Sequence, residues 1–282
     1  MNKRLAEEWL FKILMITSLC FVLGSLLIII GLVLYHGAPA ITIEMVTQTS
    51  SMSLYTGRGG GILNAIIGSI LLAIPATILA FIVGIFIALY LQRDFTDPRL
   101  TNIIRFVLDI LWGTPSIIYG VFCMMIMFAL GATTSLLWGI IALTLLEIPI
   151  ITRYMDESIN MVPHGLKESA YSLGSTRVET AFKIVRKQAL PGILAGVLLG
   201  LGRGIGDAAS IVFLIGDSNS IPTSLNSPTS ALPTMIFNLY SQPDPYVRQK
   251  AYAAAFILLM IVLLISVTSR VITKRITKHV IR

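Results

Sequence analysis

The sequence predicts an all-α polytopic membrane protein with six transmembrane helices, and three observations carry that prediction. The chain is 55% hydrophobic and only 12% charged, about half the charged fraction of a soluble domain, with a mean hydropathy of +0.85. Six apolar runs are long enough to cross about 30 Å of hydrocarbon. Lipid offers no hydrogen-bond partner to backbone amides and carbonyls, so each such run must satisfy its own backbone as a helix.

In chain order the runs are Ile13 to Leu34, Ile62 to Leu91, Ile103 to Leu130, Leu136 to Ile151, Gly192 to Ile215 and Ala251 to Val271. The first follows Lys3 and Arg4 and precedes Ala38-Pro39-Ala40, a loose signal-cleavage pattern. Its length exceeds the roughly 7–15-residue apolar core of a cleaved signal, so it is expected to be a retained helix. The second carries Ala76, Ala80, Gly84 and Ala88, a ladder of small residues suited to helix packing. Pro75 in that run and Pro115 in the third free carbonyls and are expected to kink their helices. The third holds Trp112-Gly113-Thr114-Pro115-Ser116, polar for its depth and a candidate pathway lining at Thr114 and Ser116. Asp109, four residues from Arg105, is expected to form an interfacial salt bridge with it. Glu147 in the fourth run either lines the route or reaches a cytoplasmic arginine.

The fifth run is the richest in polar groups. Gly192, Gly196, Gly200, Gly204 and Ala208 form a small-residue ladder for close helix approach. Arg203 and Asp207 lie one position off it, four residues apart, and Arg203 falls about 16 Å into the run at 1.5 Å per residue. An arginine at that depth costs at least ~2.5–3.5 kcal/mol on insertion scales and should face protein or water. Two readings stand: a cationic station for a crossing anion, with Asp207 holding or gating the guanidinium, or a self-neutralised pair that locks helix packing.

With the N-terminus in the cytoplasm, 17 of the 21 lysines and arginines fall on inner segments, as the positive-inside rule requires, and both termini are placed in the cytoplasm. The net charge of +7 is thereby a topology signal and does not point to nucleic acid. Cys20 and Cys123 lie inside runs as small hydrophobes. The three histidines lie outside the runs, no zinc motif or P-loop occurs, and no nucleophile–base pair is visible. Expected, then, are no enzymatic activity, no metal and no cofactor. Outside the runs lie an outer loop, His36 to Gly61, ending in Gly57-Arg58-Gly59-Gly60-Gly61, and a proline-rich outer loop near Asp217 to Lys250 with a short helical piece, Leu232 to Tyr240. No second globular domain and no internal repeat is evident.

Residues 154–191 form the one long polar interruption, and they pattern as helix, glycine, helix. Leu166, Ala170 and Leu173 make an apolar stripe opposite Lys167, Glu168 and Ser172. Gly174 stands where a left-handed C-cap would end the first helix, and Thr176 with Glu179 forms a capping box for the second. Val178, Phe182 and Val185 continue the stripe. A short two-helix protrusion with an apolar face suits docking into a groove of a soluble partner.

The run Glu168-Ser169-Ala170, then Gly174, then Ile184, resembles the "EAA" signature of ABC-importer permeases. The stretches Gly60 to Ile66, Trp112 to Gly120, Arg203 to Asp207 and Pro222 to Pro228 resemble more closely the phosphate-specific transport (Pst) permeases of the PstA type. The likeness runs from about Gly59 to the end. It departs at Ser169 for alanine, Arg186-Lys187 for a Leu-Pro pair, Asp207 for glutamate and Glu147 for an apolar residue. The resemblance implies a type I (MetI-like) permease fold, with residues 1–62 as a leading helix and outer loop and 63–282 as the permease core. It implies coupling to an ATPase through Glu168, Ser169, Ala170 and Gly174. It also implies a complex with a homologous permease subunit (PstC-like), an ATP-binding subunit dimer (PstB-like) and an extracytoplasmic phosphate-binding protein (PstS-like), set in plasma-membrane lipid. The expected function is one half of the pathway of an ATP-driven importer of inorganic phosphate. The alternatives are a permease for sulfate, molybdate or phosphonate, or an ion-coupled secondary transporter.

Overall fold

The computed structural model describes residues 3–50, 60–92 and 94–277. The glycine-rich stretch at Gly57, Arg58 and Gly59, together with Arg93, Lys278, His279 and Arg282, lies outside them. Among the described residues every regular element is helical. They run α1 (Lys3–Gly37), a 3₁₀ turn (Ala38–Ala40), α2 (Ile43–Thr47), α3 (Leu63–Tyr90), α4 (Pro98–Gly113), α5 (Ser116–Ala129), α6 (Leu136–Asn160), α7 (His164–Ser172), α8 (Arg177–Glu179), α9 (Arg186–Gly206), α10 (Leu232–Tyr240) and α11 (Pro245–Thr277). A π-helical turn, Thr180–Val185, joins α8 to α9 in one rod.

Among the described residues five helices are long and apolar enough to span, and six if α4 and α5, bent by 95° at their break, count as one span. The third apolar run is therefore not one rod. Pro115 has no N–H to give the carbonyl of Leu111 four residues earlier. That carbonyl accepts instead from Thr114 N at 3.1 Å and from the Tyr119 hydroxyl at 2.8 Å, which closes the break. Pro75, by contrast, lies inside α3, which continues through it.

The fifth run also ends early, at Gly206 and not at Ile215. Asp207 is extended (φ −83°, ψ 117°), and its Oδ1 accepts from Ser210 N at 2.8 Å, starting a new turn in the way Asp favours over helix interiors. Residues 208–215 then fold back, with Ile211, Leu214 and Ile215 fully buried. Gly216 follows at φ +69°.

Helix α6 is the centre of the bundle, packed by α3, α9, α4 and α5. The expected glycine ladder on α9 receives it in register: Ser158 against Gly192, Tyr154 against Gly196, Ile151 against Gly200 and Glu147 against Gly204. A Cβ on Gly196 would lie 2.6 Å from that of Tyr154, so only glycine permits this spacing. The α3 ladder of Ala76, Ala80, Gly84 and Ala88 is wholly buried, with Gly84 meeting Thr152 of α6. Such contacts hold helices together in lipid, where apolar burial alone gives no driving force. At the N-terminal end of α3, buried Asn64 accepts from Ser50 N at 3.1 Å and donates to Ser218 O at 2.7 Å, tying two loops to α3. Helix α10 coincides with the short piece expected at Leu232 to Tyr240.

Candidate functional site

Two regions gather the predicted residues. The first lies where the α4–α5 break meets the end of α9. Thr114 and Ser116 flank Pro115 at the bend, Thr114 Oγ1 donating to Ile110 O at 2.9 Å. Gly120, one turn into α5, packs on the carbonyl of Ser210, the residue whose amide Asp207 caps. Arg203 occupies the last turn of α9, is exposed, and acts electrostatically on Tyr119. Break, tyrosine, arginine and capped turn therefore share one neighbourhood.

The expected Arg203–Asp207 partnership is not formed. No ion pair joins them among the described residues, because the helix ends between them and the Asp207 carboxylate is turned onto the amide of Ser210. Arg203 is stabilised instead by its place at a helix C-terminus, where the macrodipole favours a cation. Tyr119, not singled out from the sequence, was signalled there by a proline four residues after Leu111 and a hydroxyl four residues further on.

Two other expectations are corrected. Asp109 pairs with Arg153 Nε at 3.1 Å and not with Arg105. Arg105 instead grips buried Asp156 through two bonds of 2.8 and 2.9 Å. Together these four side chains staple α4 to α6. Glu147 neither lines an open route nor reaches an arginine; it is fully buried between α6 and α9.

The second region is the hairpin. Gly174 adopts φ +83°, and both bonds of a Schellman cap are present, Ser175 N to Ala170 O at 3.1 Å and Gly174 N to Tyr171 O at 2.9 Å. The Thr176–Glu179 capping box forms in both directions. Glu168 and Ser169 face outward and Ala170 is buried. The stripes are rotated from the expected ones. Lys167 turns inward to Gln92 and Asp94, because those polar groups lie in the segment just after α3. Leu173 is 87% exposed and Val178 56%, and Ala181 and Val185 supply the buried side. Leu173 and Val178 thus lie uncovered on either side of Gly174.

Comparison with known proteins fixes the family. A family model described as "binding-protein-dependent transport system inner membrane component" matches residues 80–281. The chain belongs to that family. It is 35% identical over 214 residues to the phosphate transport system permease protein PstA of Yersinia pestis, covering 76% of this chain and 72% of that protein. It is 31% identical over 259 residues to the probable PstA of Methanocaldococcus jannaschii, covering 89% and 90%. Among solved structures, a bacterial alginate ABC transporter chain matches with TM-score 0.67 at 16% identity, covering 98% of both chains. A chain of the inward-facing MetNI methionine transporter matches at 0.63 and 18%, covering 80% and 99%. The fold is thus the MetI-like ABC permease fold, and the protein is a PstA-type, multi-pass inner-membrane permease subunit of an ABC importer. Its relatives are named as transport permeases, a family without catalytic activity of its own.

Proposed function

We propose that this permease subunit forms half of the pathway of an inorganic phosphate importer and is driven through the α7–α8 hairpin by a separate ATPase dimer. The observation that carries the reading is Arg203: an exposed guanidinium in a helix's last turn, with no carboxylate on it, beside a bend carrying Thr114 and Ser116. A guanidinium offers forked, charge-assisted hydrogen bonds matched to phosphate oxygens. Asp207 shapes the mouth of that pathway by holding the turn at Ser210. A homologous permease subunit supplies the other half, and an extracytoplasmic phosphate-binding protein delivers the anion. Both termini and the hairpin face the cytoplasm, where Glu168, Ser169, Ala170 and Gly174 carry the coupling contact, with Leu173 and Val178 inserting into the ATPase. The PstA names of the relatives support phosphate as cargo.

The test is uptake of radiolabelled phosphate by the reconstituted complex carrying Arg203→Gln. Loss of a charge-assisted contact worth about 1.5–3 kcal/mol lowers uptake roughly 10- to 100-fold, while the subunits still copurify. Wild-type uptake by the variant would remove Arg203 from the pathway.

A further inference from the structure

Glu147 is the one carboxylate that the transport reading leaves unused and that the family resemblance marks as a departure. Its side chain has 0% exposure, and neither carboxyl oxygen has a hydrogen-bond partner. Helix α9 presses on it through backbone: a Cβ on Gly204 would overlap Oε1, and one on Gly200 would lie 3.8 Å from Oε2. From α3, the hydroxyl of buried Thr77 lies beside the carboxyl without a hydrogen bond of proper geometry, and it too is unpartnered. Among the described residues no titratable group faces Glu147 from these helices. Helix α3 presents Thr77, and α9 presents Gly200 and Gly204. Arg203 is exposed and acts on Tyr119, and the next ionisable groups of α6, Arg153 and Asp156, are taken by Asp109 and Arg105.

An ionised carboxylate held dry, without counter-ion or donor, is among the most costly arrangements a membrane protein can contain. A metal ion does not resolve it. Gly204 occupies the space beside Oε1, and no cluster of three His, Cys, Asp or Glu exists among the described residues. A proton needs no coordination shell, and the acid O–H it creates can donate to Thr77 Oγ1.

We propose that Glu147 is a proton-binding site that links the α6–α9 contact to pH. The carboxyl is neutral while α9 lies against it. When α9 withdraws, water enters, the O–H bond breaks, and the proton passes to that water. Protonation thus accompanies the packed arrangement and proton release accompanies separation. The inference rests on the importer reading for the existence of two α6–α9 arrangements.

The experiment uses the complete importer in lipid vesicles. Infrared difference spectra between about pH 6 and pH 9 should show a protonated-carboxyl carbonyl band that fades as pH rises and is missing from Glu147→Gln. No titrating band in the wild type, or the same band in the variant, overturns the proposal. Should Glu147→Gln not assemble, Glu147→Asp must shift the band, and an unshifted band is equally fatal. In parallel, the ratio of variant to wild-type phosphate uptake should be near one at the acid end and differ several-fold at the alkaline end. A constant ratio overturns the link to α9. Absent uptake by the wild type counts against the importer reading, and the infrared band still decides whether Glu147 holds a proton.

Discussion

At Arg203 a full positive charge stands in the last turn of α9 with no carboxylate upon it, and the consequence is chemical. On the proposed reading, an anion reaches the site without first breaking a salt bridge. Arg203→Lys keeps the charge but loses the planar fork, so uptake should fall less than in Arg203→Gln and show a raised KM. Asp207 acts as a cap, and asparagine can accept the same bond from Ser210 N. Asp207→Asn should therefore keep uptake within about twofold, and Asp207→Ala should lose about 1 kcal/mol of stability with the cap. A large uptake defect in Asp207→Asn would restore the carboxylate as a gate. Between α4 and α6, Asp156→Ala leaves Arg105 and Arg153 without their shared carboxylate. The cost should be about 2 kcal/mol, below that of a fully buried pair because both arginines are partly exposed, and thermal unfolding in detergent measures it.

At the scale of elements, the proposed coupling role of the hairpin can be tested apart from folding. Leu173 is 87% exposed, so Leu173→Glu should leave the fold and membrane insertion intact while weakening ATPase copurification at least about tenfold. Gly174 has open space where a Cβ would go, so Gly174→Val meets only backbone strain at φ +83°, about 1–2 kcal/mol. The same scale shows what the sequence made legible. Glycine caps, the Thr176 capping box and the small-residue ladders are local signals and appear where expected, because each is encoded within a turn or two. The helix limits at Gly113 and Gly206 were not legible from hydropathy, since apolar residues continue past both. Proline chemistry at Pro115 and the Asp207 cap ended the helices there. The rotated stripe, with Lys167 inside and Leu173 outside, was set by Gln92 and Asp94, residues far away in the chain that periodicity cannot report.

At the scale of the whole molecule, α1 stands apart. It packs on α11 and the adjoining 3₁₀ turn, and its flanks, from Trp9 to Tyr35, are exposed hydrophobics. Lipid or a second permease subunit must cover them, since water would not tolerate such a surface. Orientation is checked at the same scale: Ser175→Cys should react with a membrane-impermeant thiol reagent in inside-out vesicles and stay protected in right-side-out ones. The sequence by itself determined that the chain crosses the membrane as helices, which loops carry the positive charge, and that a capped helical hairpin interrupts the spans. Hydropathy, charge and capping act over a few residues and are written locally. Only the tertiary structure decided that Arg203 has no ion pair among the described residues, that Arg105 holds Asp156 across 51 residues, and that Glu147 is sealed against Gly204. Those outcomes depend on which helix faces come together, a choice made by packing among segments that no short stretch of sequence contains.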